Sequence, residues 1–237
     1  IHIHVNEPAD VFNICTDFGA VSDEKADDMW KQQETLQKHK STGIAIVTDS
    51  GADIPDDIAL DIHTVPVRYN FGNTGYVDKL SQSPEEFYHE LATNPNHPQT
   101  SQPTPGDFRR QYQYLHSHYD SIISIHIPQI MSGTYQSAMN ASKRVDDSSI
   151  TVIDGFSASV GLGLIVMKAA ELVKDGKDHN EIKKLLSEII ISTDLFLVAK
   201  DLGYLVKGGR LPGWVKKAAD FLHIRPILTT KHNGRMG

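Results

Sequence analysis

Two short segments rich in hydroxyl side chains are the part of the sequence best suited to binding an anion. They are Thr100-Ser101-Gln102 and Ser132-Gly133-Thr134. Before the second segment, an apolar strand is predicted to turn into a helix that begins near Ser132. A helix start presents unpaired amides and the positive end of the helix dipole. These amides and the neighbouring hydroxyls would together form a seat for a carboxylate or a phosphate.

Helix capping explains the same hydroxyls without any ligand. A serine or threonine at a helix start contributes about 1 kcal/mol as a cap. Thr100 lies in a loop fixed by two prolines, which runs into a predicted capping box at Thr104. Both segments nevertheless fall where strands of an open α/β sheet end and helices begin, which is the edge where such folds bind ligands. For each segment taken alone, capping and anion binding both remain open.

A second candidate chemistry is ester hydrolysis by Ser157 or Ser132. The segment Gly155-Phe156-Ser157-Ala158-Ser159 departs from the nucleophile-elbow pattern at its last position, where serine replaces glycine. No histidine and acid can be assigned as partners from the sequence, so a serine esterase is kept as the alternative function. The acid spacing in Thr48–Asp53 does not suit an aspartyl phosphatase, and a turn is predicted there.

Two glycine pairs and one histidine pair complete the candidates. Gly161-Leu162-Gly163 lacks the third glycine of a dinucleotide loop, and we expect it to let another backbone or an extended ligand approach a helix. Lys207-Gly208-Gly209-Arg210 is predicted to end a short helix, with anion binding as the alternative. His2 and His4 share a strand face, but no third ligand can be identified, so no metal site is predicted.

Composition and charge disfavour several classes of partner. The 237 residues carry a net charge of -7, which gives no electrostatic reason to approach nucleic acid or an anionic membrane surface. No apolar run approaches the ~18 residues that cross a bilayer, so no integral membrane segment is expected. Cys15 is the single cysteine and permits no intrachain disulfide, in keeping with a cytoplasmic location.

From residue 43 onward, the pattern of elements predicts an α/β fold with a parallel sheet. Short β-branched runs alternate with amphipathic stretches, and the predicted strands are Ile44–Val47, Ile62–Val67, Ile122–Ile125 and Ile150–Ile153. Capping boxes at Ser83 and Thr104 mark two helix starts. Helices over Ser159–Gly176 and Asp178–Ile191, followed by a strand at Leu195–Ala199, are interpreted as a second lobe.

Both ends of the sequence suggest a piece of a longer polypeptide. Ile1–Val5 is predicted as a strand, followed by a short helix that ends near Gly19 and a helical linker over Ser22–Lys40. At the other end, Ile224–Thr230 is predicted as a strand and Asn233-Gly234 as a hairpin turn. Because no returning strand follows, we expect the second lobe to be incomplete.

Four motifs, taken in order, resemble those of the DegV family of bacterial fatty-acid-binding proteins. They are Ile46-Val47-Thr48-Asp49-Ser50, Thr100-Ser101-Gln102-Pro103-Thr104-Pro105-Gly106-Asp107-Phe108, Met131-Ser132-Gly133-Thr134-Tyr135-Gln136-Ser137-Ala138 and Lys207-Gly208-Gly209-Arg210. The resemblance covers Thr42 to Gly237. It implies a two-lobed α/β fold with one acyl chain buried in a tunnel between the lobes. The N-terminal lobe, residues 42–157, would be a mostly parallel sheet flanked by helices, and the C-terminal lobe, residues 158–237, would be truncated.

The resemblance also implies how the ligand is held. The hydroxyls of Thr100 and Ser132 would bind the fatty-acid carboxylate, with the Gly133 amide nearby and with Ser101 and Thr134 as polar support. The basic residue and the histidine that the family places near the carboxylate would lie beyond the last residue of this sequence. No catalytic residue, no metal and no cofactor other than the bound fatty acid are implied.

The partner that the resemblance implies is an ATP-dependent fatty-acid kinase, to which the bound long-chain fatty acid is presented for acyl phosphate formation. Ile1-His2-Ile3-His4, the helix end at Phe18-Gly19, and Met29 followed by Gln32-Gln33 resemble the closing segment of that kinase. The kinase domain is therefore expected in the same polypeptide, with residues 1–40 as its tail and linker. This chain is then a binding component and not an enzyme. A third hypothesis is a ligand-free interaction module that docks through the linker Ser22–Lys40.

Overall fold

The computed structural model describes residues 14–15, 43–230 and 234. Several predictions lie outside these residues and are neither confirmed nor corrected. They are the strand Ile1–Val5, the histidine pair, the linker Ser22–Lys40 and the hairpin turn at Asn233.

From Ile44 onward, the described residues form the following strands and helices. The strands are β1 (Ile44–Asp49), β2 (Ile62–Val65), β3 (Arg68–Phe71), β4 (Thr74–Val77), β5 (Gln99–Ser101), β6 (Ser121–His126), β7 (Ile150–Asp154), β8 (Phe196–Leu197) and β9 (Leu228–Thr229). The helices are α1 (Pro84–Thr93), α2 (Pro105–His116), α3 (Thr134–Val145), α4 (Ser159–Lys174), α5 (His179–Ser192), α6 (Gly203–Lys207) and α7 (Gly213–Leu222). The capping boxes predicted at Ser83 and Thr104 are confirmed, because each hydroxyl accepts a backbone hydrogen bond from the third helical residue.

A four-stranded parallel sheet lies at the centre of the larger of two compact units. This unit contains the described residues of Ser41–Val65 and Thr104–Gly237. Its strand order is β2-β1-β6-β7, and every pairing is parallel. The predicted α/β fold with a parallel sheet is therefore confirmed.

Alternating side chains of this sheet bury two separate faces. Ile46 and Ile123 contribute to one core, together with residues of α4 and α5 such as Leu162. Their strand neighbours Val47 and Ile122 contribute to the other core, together with residues of α2 and α3. Because helices cover both faces, apolar residues occupy both faces of these strands, without the regular apolar–polar alternation of a half-exposed sheet.

The smaller unit includes Pro66–Pro103 and contains an antiparallel sheet that is not predicted from the sequence. β3 pairs with β4 on one side and with β5 on the other. Gly72 and Asn73 connect β3 to β4, with Gly72 at a φ of +58°, and a Gly-Asn pair between two strand-like runs is a hairpin signal. The rings of Tyr69 and Tyr76 stack with centroids 5.1 Å apart, and Phe87 of α1 packs edge-on against Tyr69.

The last described residues form a small antiparallel arrangement. β8 pairs with β9, and the buried side chains around this pair are Leu202, Leu211, Ala219 and Leu228. α6 ends at Lys207 with Gly208 as its C-cap, and Gly209 takes a φ of +76°. The glycine stop predicted at this position is therefore confirmed.

Prolines explain two strands that are shorter than predicted. The strand predicted to extend to Val67 ends at Val65, because Pro66 has no amide proton for a parallel ladder. The strand predicted over Ile224–Thr230 is reduced to two residues that follow Pro226. In both cases the β-branched composition favours a strand, but the backbone cannot provide the hydrogen bonds.

Gly163 allows two backbones to approach each other closely. The loop after β1 runs along the start of α4, where the Ser159 amide donates to the Gly51 carbonyl at 2.8 Å and the Asp53 amide donates to the Ser159 carbonyl at 3.1 Å. A Cβ atom on Gly163 would lie 2.0 Å from the backbone oxygen of Asp53. Of the two expectations for this glycine, another backbone or an extended ligand, the structure supports the backbone.

We expect Gly163→Ala to lower the free energy of unfolding by about 1–3 kcal/mol, as overpacking does in a close-packed interior. Alanine in a helix is otherwise favoured over glycine by about 0.5–1 kcal/mol, so the sign of the effect is diagnostic. Urea denaturation measures it. Gly75→Ala is the control, because nothing lies within 4 Å of its Cβ position. Unchanged or increased stability of Gly163→Ala would contradict this account.

Candidate functional site

Three neighbouring strands of the parallel sheet end in ionisable side chains. β1 ends in Asp49, β6 in His126 and β7 in Asp154. Asp154 is the register partner of His126, and His126 Nδ1 lies 2.9 Å from Asp49 Oδ2. Asp49 and His126 are fully buried. The loop of residues 127–133, which carries Ser132 and Gly133, leaves the sheet at this edge.

The carboxylates of Asp49 and Asp154 hold the beginning of this loop from both sides. Asp49 Oδ2 accepts a hydrogen bond from the Ile127 amide at 3.1 Å. Asp154 Oδ2 accepts one from the Gln129 amide, also at 3.1 Å. Since β1 and β7 flank β6 in the sheet, the last side chain of each flanking strand fixes one amide of the loop between them.

A tight turn completes the path to the hydroxyl segment. The Pro128 carbonyl accepts hydrogen bonds from the amides of Met131, at 2.8 Å, and Ser132, at 3.1 Å. The backbone of the loop is thus fixed at its first residue, at Gln129 and again just before Gly133.

Ser132, Gly133 and Thr134 lie together at the start of α3. The helix begins at Thr134 with Gly133 as its N-cap, so the helix start predicted near Ser132 is two residues too early. The Ser132 hydroxyl lies 2.8 Å from the Thr134 hydroxyl and accepts a hydrogen bond from the Thr134 amide at 3.3 Å. Thr134 is fully buried and Ser132 is half-buried. When the Thr134 hydroxyl donates to Ser132, the Ser132 hydroxyl keeps its own proton for another acceptor.

Thr100 and Ser101 lie in a strand of the smaller unit and not in a loop, which corrects the prediction. In the pairing of β5 with β3, Thr100 lies opposite Tyr69 and Ser101 lies opposite Arg68. A three-residue strand of this kind depends on a partner distant in the sequence, so local composition does not reveal it. Successive residues of a strand point to opposite faces, so Thr100 shares a face with Tyr69 and Ser101 shares a face with Arg68.

The five predicted site residues therefore fall into two groups. Ser132, Gly133 and Thr134 are adjacent in the larger unit, and Thr100 and Ser101 are exposed residues of the smaller unit. A site formed by both groups stays a prediction.

Ser157 lacks the surroundings of a hydrolytic nucleophile in the described part of the chain. Its side chain is 2% exposed, and its hydroxyl has no hydrogen-bond partner there. The hydroxyl lies 2.2 Å from the position that a Cβ atom on Gly161 would take, so it fills the space beside that glycine. The neighbouring residues Phe156 and Ser159 have positive φ angles of 49° and 53°. The bend after β7 directs Ser157 inward, so it does not expose the serine as a nucleophile elbow does.

A serine, a histidine and an aspartate do lie in contact elsewhere, with the aspartate distant in sequence from the other two. Ser124 Oγ lies 2.6 Å from His126 Nε2, and His126 in turn contacts Asp49. All three side chains are 0% exposed, so no substrate reaches the serine. The arrangement has the residue types of a hydrolase triad without access to its nucleophile.

Neither His126 nor Asp154 is predicted as a functional residue from the sequence. One signal for His126 is that Ser124 and His126 are two apart in an otherwise apolar strand and so share a face. The second is that His126 follows Asp49 by 77 residues, the same offset that relates Ile44 to Ser121 in the pairing of β1 with β6. This offset can be recognised only once the two strands are known to pair.

The described residues contain neither a candidate metal cluster nor a candidate membrane span. No group of three or more His, Cys, Asp or Glu side chains among them is placed to hold a metal ion. No helix among them is both long enough and apolar enough to cross a membrane.

We expect Asp154→Ala to lower the free energy of unfolding and to speed amide exchange at Gln129. It removes the acceptor of the Gln129 amide and of the Phe156 amide, which donates to Asp154 Oδ1 at 2.9 Å. Each amide left without an acceptor costs about 1–3 kcal/mol. Asp154→Asn keeps one acceptor oxygen and should lose about half as much. Urea denaturation and amide hydrogen exchange at Gln129 measure the two effects. Equal stability of the alanine variant and the wild type would contradict the proposed role.

The comparisons with known proteins agree on one family. The family model described as "Uncharacterised protein, DegV family" matches residues 43–237. A DegV domain-containing protein of Staphylococcus aureus is 37% identical over 193 residues, which are 81% of this chain and 68% of that protein. Protein DegV of Bacillus subtilis is 34% identical over 188 residues, which are 78% of this chain and 67% of that protein.

Solved structures show the same fold. A DegV family protein from Thermus thermophilus, described by its fatty acid binding, has a TM-score of 0.75 at 32% identity, covering 82% of this chain and 70% of its own. DegV of Bacillus subtilis, described as a fatty acid binding protein, has a TM-score of 0.71 at 33% identity, covering 83% and 70%. The Streptococcus pneumoniae fatty acid kinase B3 protein, loaded with linoleic acid, has a TM-score of 0.74 at 24% identity, covering 82% and 71%, and is similar in fold. From its family model and its relatives, the chain belongs to the DegV family.

Proposed function

We propose that this chain binds a long-chain fatty acid, buries the acyl chain and holds the carboxylate at Ser132-Gly133-Thr134. The observation that carries this proposal is the half-buried Ser132 hydroxyl, which accepts from the Thr134 amide and, when the Thr134 hydroxyl also donates to it, has its own proton available for an anion. The Thermus thermophilus and Bacillus subtilis relatives, both described as fatty-acid binders, support the choice of ligand.

Some amides of the loop 127–133 already donate hydrogen bonds, which limits the donors that remain for a carboxylate. The Ile127 and Gln129 amides donate to Asp49 and Asp154 and are therefore occupied. The Thr134 amide donates to Ser132 Oγ, so the Ser132 hydroxyl and the Gly133 amide remain as the donors that we propose for the carboxylate. α3 has 12 residues, which is long enough for its dipole to favour a negative charge at its start by about 0.3–1 kcal/mol.

Thr100 is proposed as the second hydroxyl donor, with Ser101 as support from the opposite face of β5. The alternation of the strand makes this division necessary, because two neighbouring strand residues cannot direct both hydroxyls at one carboxylate. The domain boundaries that go with this proposal are lobes at residues 42–157 and 158–237.

We further propose that the chain presents the bound carboxylate to an ATP-dependent kinase domain, in the cytoplasm, and does not itself catalyse a reaction. A fatty-acid carboxylate is already ionised at neutral pH, as the ordinary pKa of about 4.3 for a glutamate carboxyl indicates. Its oxygen can therefore attack the γ-phosphorus of ATP, with ADP leaving, without a general base from this chain. A kinase domain fused in the same polypeptide would supply the nucleotide and its metal.

Extraction and mass spectrometry of the purified protein test the ligand class directly. We expect protein purified without detergent to release one equivalent of a C14–C18 acid per polypeptide. Repeated recovery of no acid, together with no binding of added oleate in titrations, would contradict the proposal.

Alanine substitutions test the carboxylate site. Ser132→Ala and Thr100→Ala each remove a hydrogen bond to a charged acceptor, so each should weaken oleate binding by about 1.5–3 kcal/mol. If both hydroxyls hold the same carboxylate, the double variant should lose less than the sum of the two single losses. Displacement of a fluorescent fatty acid measures the affinities.

Ser142→Ala is the matched control, because it removes a hydroxyl from the same helix that donates only within the helix, to the Met139 carbonyl at 3.0 Å. It should leave the affinity unchanged. If the losses of oleate affinity in Ser132→Ala and Thr100→Ala are strictly additive, Thr100 does not bind the same carboxylate. An unchanged affinity in the double variant would reject the site altogether. The same variants should reduce acyl phosphate formation by a fatty-acid kinase in proportion to occupancy.

A further inference from the structure

A buried chain of hydrogen bonds crosses one core of the larger unit and ends at the loop that carries Ser132. The Tyr112 hydroxyl of α2 lies 2.8 Å from Ser124 Oγ, and Ser124 Oγ lies 2.6 Å from His126 Nε2. His126 Nδ1 lies 2.9 Å from Asp49 Oδ2. All four side chains are 0% exposed, so no water screens the chain.

The direction of donation along this chain follows from its first member. Burial raises the pKa of Tyr112 well above its ordinary value, so Tyr112 keeps its proton and donates it to Ser124. The Ser124 hydroxyl then has its own proton to give to His126 Nε2. If His126 Nε2 accepts this proton, the imidazole proton lies on Nδ1 and is donated to Asp49.

Asp49 connects this hydrogen-bond chain to backbone amides. The same oxygen that receives the His126 proton also accepts from the Ile127 amide at 3.1 Å, and the other oxygen accepts from the Gly51 amide at 3.0 Å. A Cβ atom on Gly51 would lie 2.8 Å from this carboxylate, so the glycine leaves room for it. Phe108 packs edge-on against the His126 ring, with centroids 4.9 Å apart, and fixes the plane of the ring.

The polar residues of this hydrogen-bond chain suggest a role beyond stabilising the core. A fully buried carboxylate has a large desolvation cost, and well-packed apolar residues of similar volume are often as stable or more so. A polar chain does provide directionality, because it permits only one orientation of each group. Here that orientation fixes the first amide of the loop 127–133.

We propose that the buried chain Tyr112–Ser124–His126–Asp49 is a positioning device, which holds the Ile127 amide and thereby places the Ser132 hydroxyl for the fatty-acid carboxylate. None of the four residues touches the ligand. The inference rests on the proposed carboxylate site at Ser132, and it adds four residues that determine the geometry of that site.

A double-mutant cycle between residues of the hydrogen-bond chain and Ser132 tests this coupling. The probe is [1-13C]oleate, and the protein is the complete polypeptide. Asp49→Asn places an amide nitrogen where one carboxylate oxygen accepts hydrogen bonds, and it should weaken oleate binding by about tenfold or more. Tyr112→Phe removes only the first donor and should weaken binding by about threefold. In a Ser132→Ala background, both effects should shrink to less than about twofold, because residues that act through one another are not additive.

Tyr119→Phe is the matched control. It removes a tyrosine hydroxyl from the same buried cluster, one that donates to Asp61 Oδ2 at 2.6 Å and has no part in the chain. It should leave oleate affinity and the 13C shift of the bound carboxylate unchanged, whereas Asp49→Asn and Tyr112→Phe should move that shift. In the wild type, 15N spectra of His126 should show the proton on Nδ1.

The outcomes separate this inference from the proposed function. If the wild type does not bind oleate, or if Ser132→Ala leaves binding unchanged, the proposed site fails and the inference fails with it. Another outcome is that the wild type binds oleate and Ser132→Ala weakens binding, while the affinity losses of Asp49→Asn and Tyr112→Phe add fully to that of Ser132→Ala. In that case, or if these two variants leave the affinity and the carboxylate shift unchanged, only the inference is overturned. Tyr112→Phe decides the matter if Asp49→Asn does not fold, and a His126 proton on Nε2 would also refute the proposed direction of donation.

Discussion

The hydrogen bonds from strand-end carboxylates to loop amides are the constraint on which the candidate site depends. Seven residues lie between the end of β6 and the start of α3, and a free loop of that length would sample many conformations. Asp49 and Asp154 remove this freedom by accepting from the Ile127 and Gln129 amides. The conformational entropy of the loop is lost during folding, so a ligand that arrives later does not have to order it.

The parallel sheet explains why the aspartates can act in this way. All its strands point in one direction, so their carboxyl ends lie at one edge, and the side chains at that edge come from segments distant in sequence. Helices on both faces exclude water from Asp49 and His126. Hydrogen bonds in such surroundings are stronger than in water, and unsatisfied groups are correspondingly costly. The site is therefore rigid on the sheet side.

Much of this fold could be predicted from the sequence because its signals are local. β-branched runs such as Ile122–Ile125 and the capping box at Ser83 need only their neighbours to be recognised. The Ser132 segment could be identified for the same reason, since strand, turn and helix start are continuous in the chain. The contact between His126 and Asp49 could not, because it requires a register between strands 77 residues apart. The strand β5 escaped prediction for a similar reason, because Gln99–Ser101 is stabilised by β3 and not by its own composition.

The brevity of β5 has a consequence for ligand chemistry. A slip of one residue in its pairing with β3 would exchange the faces of Thr100 and Ser101 and present a primary hydroxyl where a β-branched one now stands. Pro98 and Pro103 bracket the strand, and neither can donate to a ladder, so the pairing cannot be extended by their amides in either direction. The two prolines limit the length of β5, and the register of the three remaining residues against β3 determines which hydroxyl lies on each face of this sheet.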